Sequence, residues 1–540
     1  MEMQKVNSDD KYIYMLKSVT KKMDEVKKKD ISNPKTQQNG TGPQTKKMRS
    51  NTKLYIVLGL GVILIIVGIT VGVLWGTIVD YIYKNELTLT PTSKSFEMWN
   101  ENPIPVFLSF YMFNLSNAVE FLQGRKPKFT EHGPYVFSEK FNKTDKVWND
   151  NGTVTFHRRR YWTFVPELSK KGVSLSDEIT NLNPIVVTLG NIVRFQKPLL
   201  RKFASFLMKA VKENVVITKS VSQLIFDGYE DKLLEIARKL NITTLPYDKF
   251  GWFYGRNESD TYEGTYNIKT GKNSISEIGE LVEWNYTNKT IYNNGKCSKI
   301  KGTVGDLWHP FTANESSRLS VFSSDICTSI DLVYGNTTEL LGIYGTKFIS
   351  HENIFDNGTN DPSRKCYCSN VECQPSGTLN VSLCKFGAPA FISLPHFYLA
   401  DPSYGEKIEG MNPNKVLHET HVVLDPVMGV PMKVKAQLQL NLLVRQDDEI
   451  EPFKKINDTF VPMLWFSQTA ELTSQYATLV KIIHILPLLG HATFYGIGAI
   501  GALLVFIAVF VSLRAKWREE ENQNLLSNDR DNNSVITNDG

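Results

Sequence analysis

The chain has 540 residues, 41% of them hydrophobic, 11% aromatic and 22% charged, with a formal net charge of +5. This excludes a disordered chain, because so many aromatic side chains supply more burial than a solvated polymer carries. The mean hydropathy of -0.23 is that of an ordinary soluble protein, but the apolar residues are unevenly distributed.

Residues 1–53 come first, with 13 Lys/Arg against 6 Asp/Glu and little apolar content. They predict a disordered basic tail in which only Tyr12 to Lys29 has the pattern of a short surface helix. The run from Leu54 to Val79 contains no charge. At about 1.5 Å per residue it exceeds a hydrocarbon core of about 30 Å, so a transmembrane helix over 54–79 is expected. A cleaved signal peptide has a shorter apolar stretch and a shorter leader. A second uncharged run, Ala492 to Leu513, predicts a span over 488–513, and Arg514, Lys516 and Arg518 follow it. Lys and Arg collect on the cytoplasmic side, so both tails, 1–53 and 514–540, are placed there. The basicity reports topology and gives no argument for nucleic-acid binding.

The interval 80–487 reads as a glycosylated extracellular or luminal domain. Sequons stand at Asn114, Asn142, Asn151, Asn241, Asn257, Asn285, Asn288, Asn314, Asn336, Asn357, Asn380 and Asn457, against two outside it. Such clustering marks a non-cytosolic surface. All six cysteines, Cys297, Cys327, Cys366, Cys368, Cys373 and Cys384, fall here too. An even count in an oxidising compartment predicts three disulfides with fifteen possible pairings, in preference to a zinc site on Cys366, Cys368 and Cys373 that lacks a second pair.

Alternating segments at 153–164, 420–425 and 433–444 predict strands, and three- and four-residue spacing predicts helices over 198–222 and 231–240. The domain therefore reads as one β-rich unit with a helical insertion around 185–245. His157-Arg158-Arg159-Arg160 lies on an alternating strand and is expected to be solvated. His309, His351, His396, His418 and His421 lack metal-ligand spacing, and Asp447-Asp448 reads as an exposed turn. No P-loop, dinucleotide fingerprint, HExxH or GxSxG is present. An enzyme, a cofactor or a metal is therefore not expected. In the C-tail, Glu521 with Leu525 and Leu526 forms an acidic dileucine arrangement of the kind clathrin adaptors read as a sorting signal.

These features meet in one resemblance. GPYVF (133–137), RYWTFVPELS (160–169), LIFDGYED (224–231), FSSDIC (322–327), CYC (366–368), ISLPHF (392–397), EGMNPN (409–414), LQLNLLV (438–444) and VPMLWF (461–466) stand in this order. Between two spans, they resemble the class B scavenger receptor family, the fatty-acid translocase, high-density lipoprotein receptor and lysosomal integral membrane protein type. The resemblance implies an antiparallel β-barrel core with an apical helical bundle and an internal apolar tunnel. It implies the pairs Cys297–Cys366, Cys327–Cys384 and Cys368–Cys373, and places Lys209 and Lys212 in a basic cluster at the tunnel mouth. The implied function is receptor binding of lipids (fatty acids, sterols, phospholipids) or lipoprotein particles, with passive lipid transfer to a plasma or lysosomal/endosomal membrane and a possible homo-oligomer. The alternative is a lysosomal membrane protein that sorts a hydrolase, exports lipid or maintains membrane integrity. The N-tail is longer than is usual for the family, and the dileucine lies further from the C-terminus than in the lysosomal member.

Overall fold

The computed structural model describes residues 43–239, 247–368 and 373–535. The expected surface helix at 12–29 and the sequon at Asn241 lie outside them. The chain divides into two compact units, one made of the segments up to Val73 and from His491 onward, the other Leu74–Gly490.

Two helices pass the length and hydropathy test for a membrane span. The first, α1 (Pro43–Leu87), starts before the uncharged run and ends after it. Within the smaller unit it meets the C-terminal helix (Ser474–Val535) through glycine. A Cβ on Gly61 would stand 2.8 Å from Val505 and 2.9 Å from the Gly501 carbonyl, and one on Gly68 would collide with Gly498. Lipid is as apolar as a side chain, so spans gain from close backbone approach instead of apolar burial. Their large apolar residues accordingly point outward: Ile63, Val73 and Phe506 are all more than half exposed.

The larger unit is built on a 13-stranded antiparallel sheet. Its first strands are β1 (Val106–Leu115), β2 (Phe129–Trp148) and β3 (Thr153–Phe164), which form a meander in sequence order. An excursion follows: β4 (Glu178–Leu182), helices α2 (Pro184–Val193) and α3 (Pro198–Ala210), β5 (Val216–Ser220) and α4 (Lys232–Lys239). The strands β4 and β5 pair only with each other. Here the expected 198–222 helix stops at Ala210, and Val216–Ser220 is a strand. Lys212 adopts a positive φ of 59°, which ends the helix, and the Val215-Val216-Ile217-Thr218 run is β-branched and suits a pleat.

The sheet resumes with β6 (Tyr266–Lys269), β7 (Leu281–Trp284), β8 (Arg318–Ser323), β9 (Thr328–Leu340), β10 (Ile343–Ile349), β11 (Leu379–Asn380) and β12 (Ala390–Ser393). It finishes with β13 (His421–Leu424), β14 (Pro431–Val444) and β15 (Thr459–Glu471), ahead of the C-terminal helix, α5. The strand order is β7-β6-β3-β2-β1-β15-β14-β13-β10-β9-β8, with β12 beside β14. The two outer strands are nearly closed on each other by one residue. Thr303 bridges Glu280, next to β7, and Val321 in β8. Its carbonyl accepts from the Phe322 N–H at 2.8 Å. Such closure removes the free edges an open sheet would expose.

The disulfides are Cys297–Cys366, Cys327–Cys384 and Cys368–Cys373. The first two close loops of 69 and 57 residues, worth about 4 kcal/mol each by loop entropy.

Candidate functional site

Side chains on β2 and β3 alternate, so one face of each strand looks into the barrel. On β3 the inward residues are Arg158, Arg160 and Trp162, and the outward ones include His157 and Arg159. The outer pair behaves as a solvated surface, with His157 3.0 Å from Asp145 and Arg159 bonded to Asp260. The inner pair does not. Arg158 is 5% exposed, and Arg160 is held inside by Glu139 and Glu263. The expectation of a solvated basic run holds for the outer face only, because closure of the sheet puts the other face of the strand in an interior.

A lattice of charge fills that interior. Lys143 lies directly across from Arg158 in the β2–β3 register. Two like charges at that separation repel, and Asp306 answers both, at 2.9 Å from Lys143 Nζ and 2.8 Å from Arg158 Nη2. Glu263 pairs with Arg160 and lies 3.6 Å from Arg158, Arg256 pairs with Asp325 at 2.6 Å, and Gln468 donates to Glu139. Burial pushes the Lys143 ammonium down to about 8 against the pull of Asp306. Burial would raise the Asp306 carboxyl, but Arg158 and Lys143 hold it below its ordinary value. Four cations thus meet four carboxylates, which keeps each charge paired away from water.

Of these groups Glu139, Arg158, Arg160, Arg256, Asp306, Asp325 and Gln468 line a cavity of about 250 Å³ in the barrel. Apolar side chains such as Leu108, Phe253, Val422, Leu438 and Phe466 line it as well, with the polar Asn102, Thr420 and Gln437 among them. The barrel cavity is therefore of mixed polarity. A second cleft, of about 320 Å³, opens beside α2, between Phe195, Leu383, the Cys366 and Cys384 segments and Leu443. Ile326 lines both the cleft and the barrel cavity. It stands on the turn that Cys327–Cys384 and Arg256–Asp325 fix from either side.

Lys209 and Lys212 are exposed at the end of α3, and neither lines the cleft or the cavity. The same helical segment shows apolar surface: Phe195, Leu199, Phe203 and Phe206 are each at least 60% exposed. The expected exposed turn at Asp447-Asp448 is half right. Asp447 is buried under α3, where its carboxylate takes Arg201.

Seven sequon asparagines, Asn151, Asn257, Asn285, Asn288, Asn314, Asn336 and Asn457, are exposed, and Asn114, Asn142 and Asn380 are half-buried. Asn357 is the exception. It is 5% exposed and its Nδ2 donates to the Gln374 carbonyl at 2.6 Å, which leaves no room for a glycan. Glu521, Leu525 and Leu526 are exposed on α5.

One constellation was invisible in the spacing. His396 and His418 stack with ring centroids 4.6 Å apart, and Glu131 accepts from His396 Nε2 and Trp465 Nε1, each at 2.7 Å. Burial, with His396 beside it, lowers His418 to about 4. The residues come from β2, β15 and two short helical turns, Pro395–Phe397 and Lys415–His418, so no local pattern announces them. Among the described residues no cluster of three His, Cys, Asp or Glu is arranged to hold a metal ion.

Two apolar helices at the ends of the chain, flanking a nearly closed antiparallel ectodomain with three disulfides, define a receptor-type membrane protein. The sequence matches the CD36 family over residues 59–512, and the chain belongs to that family. It is 33% identical to scavenger receptor class B member 1 of Mus musculus over 475 residues, 86% of this chain and 91% of that one. To protein peste of Drosophila melanogaster it is 32% identical over 450 residues, 83% of this chain and 80% of the relative. To lysosome membrane protein 2 of Homo sapiens it is 32% identical over 405 residues, 75% and 82% of the two chains. The protein is a scavenger receptor-like membrane protein.

Proposed function

We propose that the ectodomain receives lipid at its apical helices and passes it through the barrel toward the bilayer. The observation that carries this reading is the pair of adjoining spaces, the cleft beside α2 and the barrel cavity, which share the wall residue Ile326. A lipid crossing water costs roughly 0.8 kcal/mol per exposed CH₂, so an enclosed path removes a large barrier. In this reading both tails are cytoplasmic, residues 80–487 face the exterior or an organelle lumen, and the exposed sequons carry glycans. Transfer is passive and non-enzymatic. The ligands are lipids or lipoprotein particles. Ile326→Trp and Ala436→Trp, which narrow the cleft and the cavity, are expected to lower labelled-lipid uptake in cells at least five-fold at equal surface abundance. Unchanged uptake in both would refute the conduit.

A second reading rests on the exposure of Leu525 and Leu526, 61% and 65%, on a polar helix end where nothing buries them. It makes Glu521, Leu525 and Leu526 a sorting signal for clathrin adaptors and the protein a resident of lysosomal or endosomal membranes. There the apolar apex would carry a hydrolase.

A further inference from the structure

One hairpin tip of the barrel breaks the rules of turn chemistry. Strands β9 and β10 pair Leu340 with Ile343, so Leu341 and Gly342 form a two-residue loop. Both have positive φ, 51° and 76°. Asn-Gly or Asp-Gly normally fills such a loop, because leucine is strained in the left-handed region and a polar tip is hydrated. Here the tip reads Leu340-Leu341-Gly342-Ile343-Tyr344, with one hydroxyl as its only polar side-chain group. Leu341 is 42% exposed and Tyr344 67%. Isolated exposed apolar side chains are common on soluble surfaces, so their place in the fold decides what they mean.

The packing fixes the level of this tip. Ile343 is buried in one apolar cluster with Ala477 and Val480 of α5, and a Cβ on Gly342 would stand 2.9 Å from Lys481 Nζ. The hairpin therefore follows α5 in the direction of rising residue number, toward the span expected from Leu488, about 10 Å past Lys481 along the helix. The β13–β14 turn lies at the same end of the sheet, because β10 pairs with β13 through Thr346 and Leu424. It reaches further: Asp425 is 2.8 Å from His484, about 6 Å short of Leu488. Val427 on that turn is exposed. The headgroup layer of a bilayer is roughly 5–8 Å deep on each side of the hydrocarbon. A turn at the level of His484 thus lies within it, and a tip at the level of Lys481 meets its outer border. Tyrosine favours that depth, where its ring meets the acyl boundary and its hydroxyl stays wet. We propose that the β9–β10 and β13–β14 turns seat the barrel in the headgroup layer of the bilayer that α5 crosses, with Leu341, Tyr344 and Val427 as the inserted side chains. The occupant is the lipid surface itself, held by apolar burial, so a zwitterionic bilayer suffices. This seating needs only that α5 crosses the bilayer and is independent of the conduit.

The test uses the purified full chain in phosphatidylcholine nanodiscs. Nitroxide labels are attached in Leu341→Cys, Tyr344→Cys and Val427→Cys, with Phe203→Cys as the reference, a similarly exposed apolar position on α3. Oxygen concentrates in the bilayer and a nickel chelate stays in water, so the ratio of their accessibilities reports depth. That ratio is expected to be at least about three-fold higher at Leu341, Tyr344 and Val427 than at Phe203. Ratios at Leu341 and Tyr344 equal to that at Phe203 overturn the proposal. The unmutated chain supplies a second measurement that no substitution can disturb. Phosphatidylcholine carrying a photoreactive group at the glycerol level should crosslink to residues 340–344 and 426–428 as well as to α5. Crosslinks confined to the two apolar helices overturn the proposal, whatever the labels report.

Discussion

The two compact units of this protein solve opposite solvent problems with opposite interiors. In the membrane unit the contact between helices is made by Gly61, Gly68, Gly498 and Gly501, and the large apolar side chains face outward. In the ectodomain Phe110, Tyr135 and Phe156 are fully buried, yet the same interior holds Lys143 at 0% side-chain exposure beside three arginines. Interior polarity thus follows the arrangement of partners more than depth. The glycines succeed because lipid gives no reward for apolar burial. The cations succeed because each has a carboxylate at ion-pair distance.

The largest effect should come from breaking that pairing. Asp306→Asn leaves Lys143 without an anion and Arg158 with only Glu263, 3.6 Å away, and a loss of about 3–5 kcal/mol is expected in denaturant unfolding. A loss under about 1 kcal/mol would mean that the lattice is hydrated or redundant. Replacing Cys327 and Cys384 together by Ser should cost about 4 kcal/mol, while loss of the short Cys368–Cys373 bridge should cost about 2. Acid should act next. Burial depresses both His418 and His421 to about 4, from an ordinary value of 6.5. The unfolded chain then binds more protons than the folded one between those values, so stability falls as pH drops from about 6.5 to 4. The melting temperature should decline across that window and flatten in His418→Asn; a flat profile in the unmutated chain would contradict the assignment. In the membrane unit, Gly68→Leu should weaken helix pairing by about 1–2 kcal/mol, read as lost energy transfer between labelled spans. The smallest effect belongs to the outer face of β3. Arg159→Ala removes only a solvent-screened ion pair with Asp260 and should leave the melting temperature nearly unchanged, in contrast to substitutions on the inner face of the same strand.

The contrast on β3 also shows how far the sequence could be read. Alternation located the strand at 153–164, and β14 was equally plain in 433–444, because a two-residue period is local information. Which face of β3 is sealed depends on Thr303 joining β7 to β8, a contact between residues far apart in the chain, so the inner arginines could not be told from the outer ones. The same limit hid the His396–His418 stack and the burial of Asp447 and Asn357. At 216–220 the error was of a different kind. Apolar spacing suggested continued helix, while the β-branched run and the left-handed turn at Lys212 decided for a strand. The cleft and cavity have no local signature at all, since Ile326 joins them only after the cysteine-tied turn is in place.

The pairing of β1 with β15 sets Val106 opposite Ala470. The partner of the first barrel strand is therefore synthesised about 360 residues after it, which at 5–20 residues per second is roughly 20–70 s of translation. Throughout that interval one side of an apolar ten-residue strand has no mate. The ectodomain should lean heavily on chaperones while it is being made, and truncations near its C-terminal end should be retained and degraded during biogenesis instead of yielding a shorter working receptor.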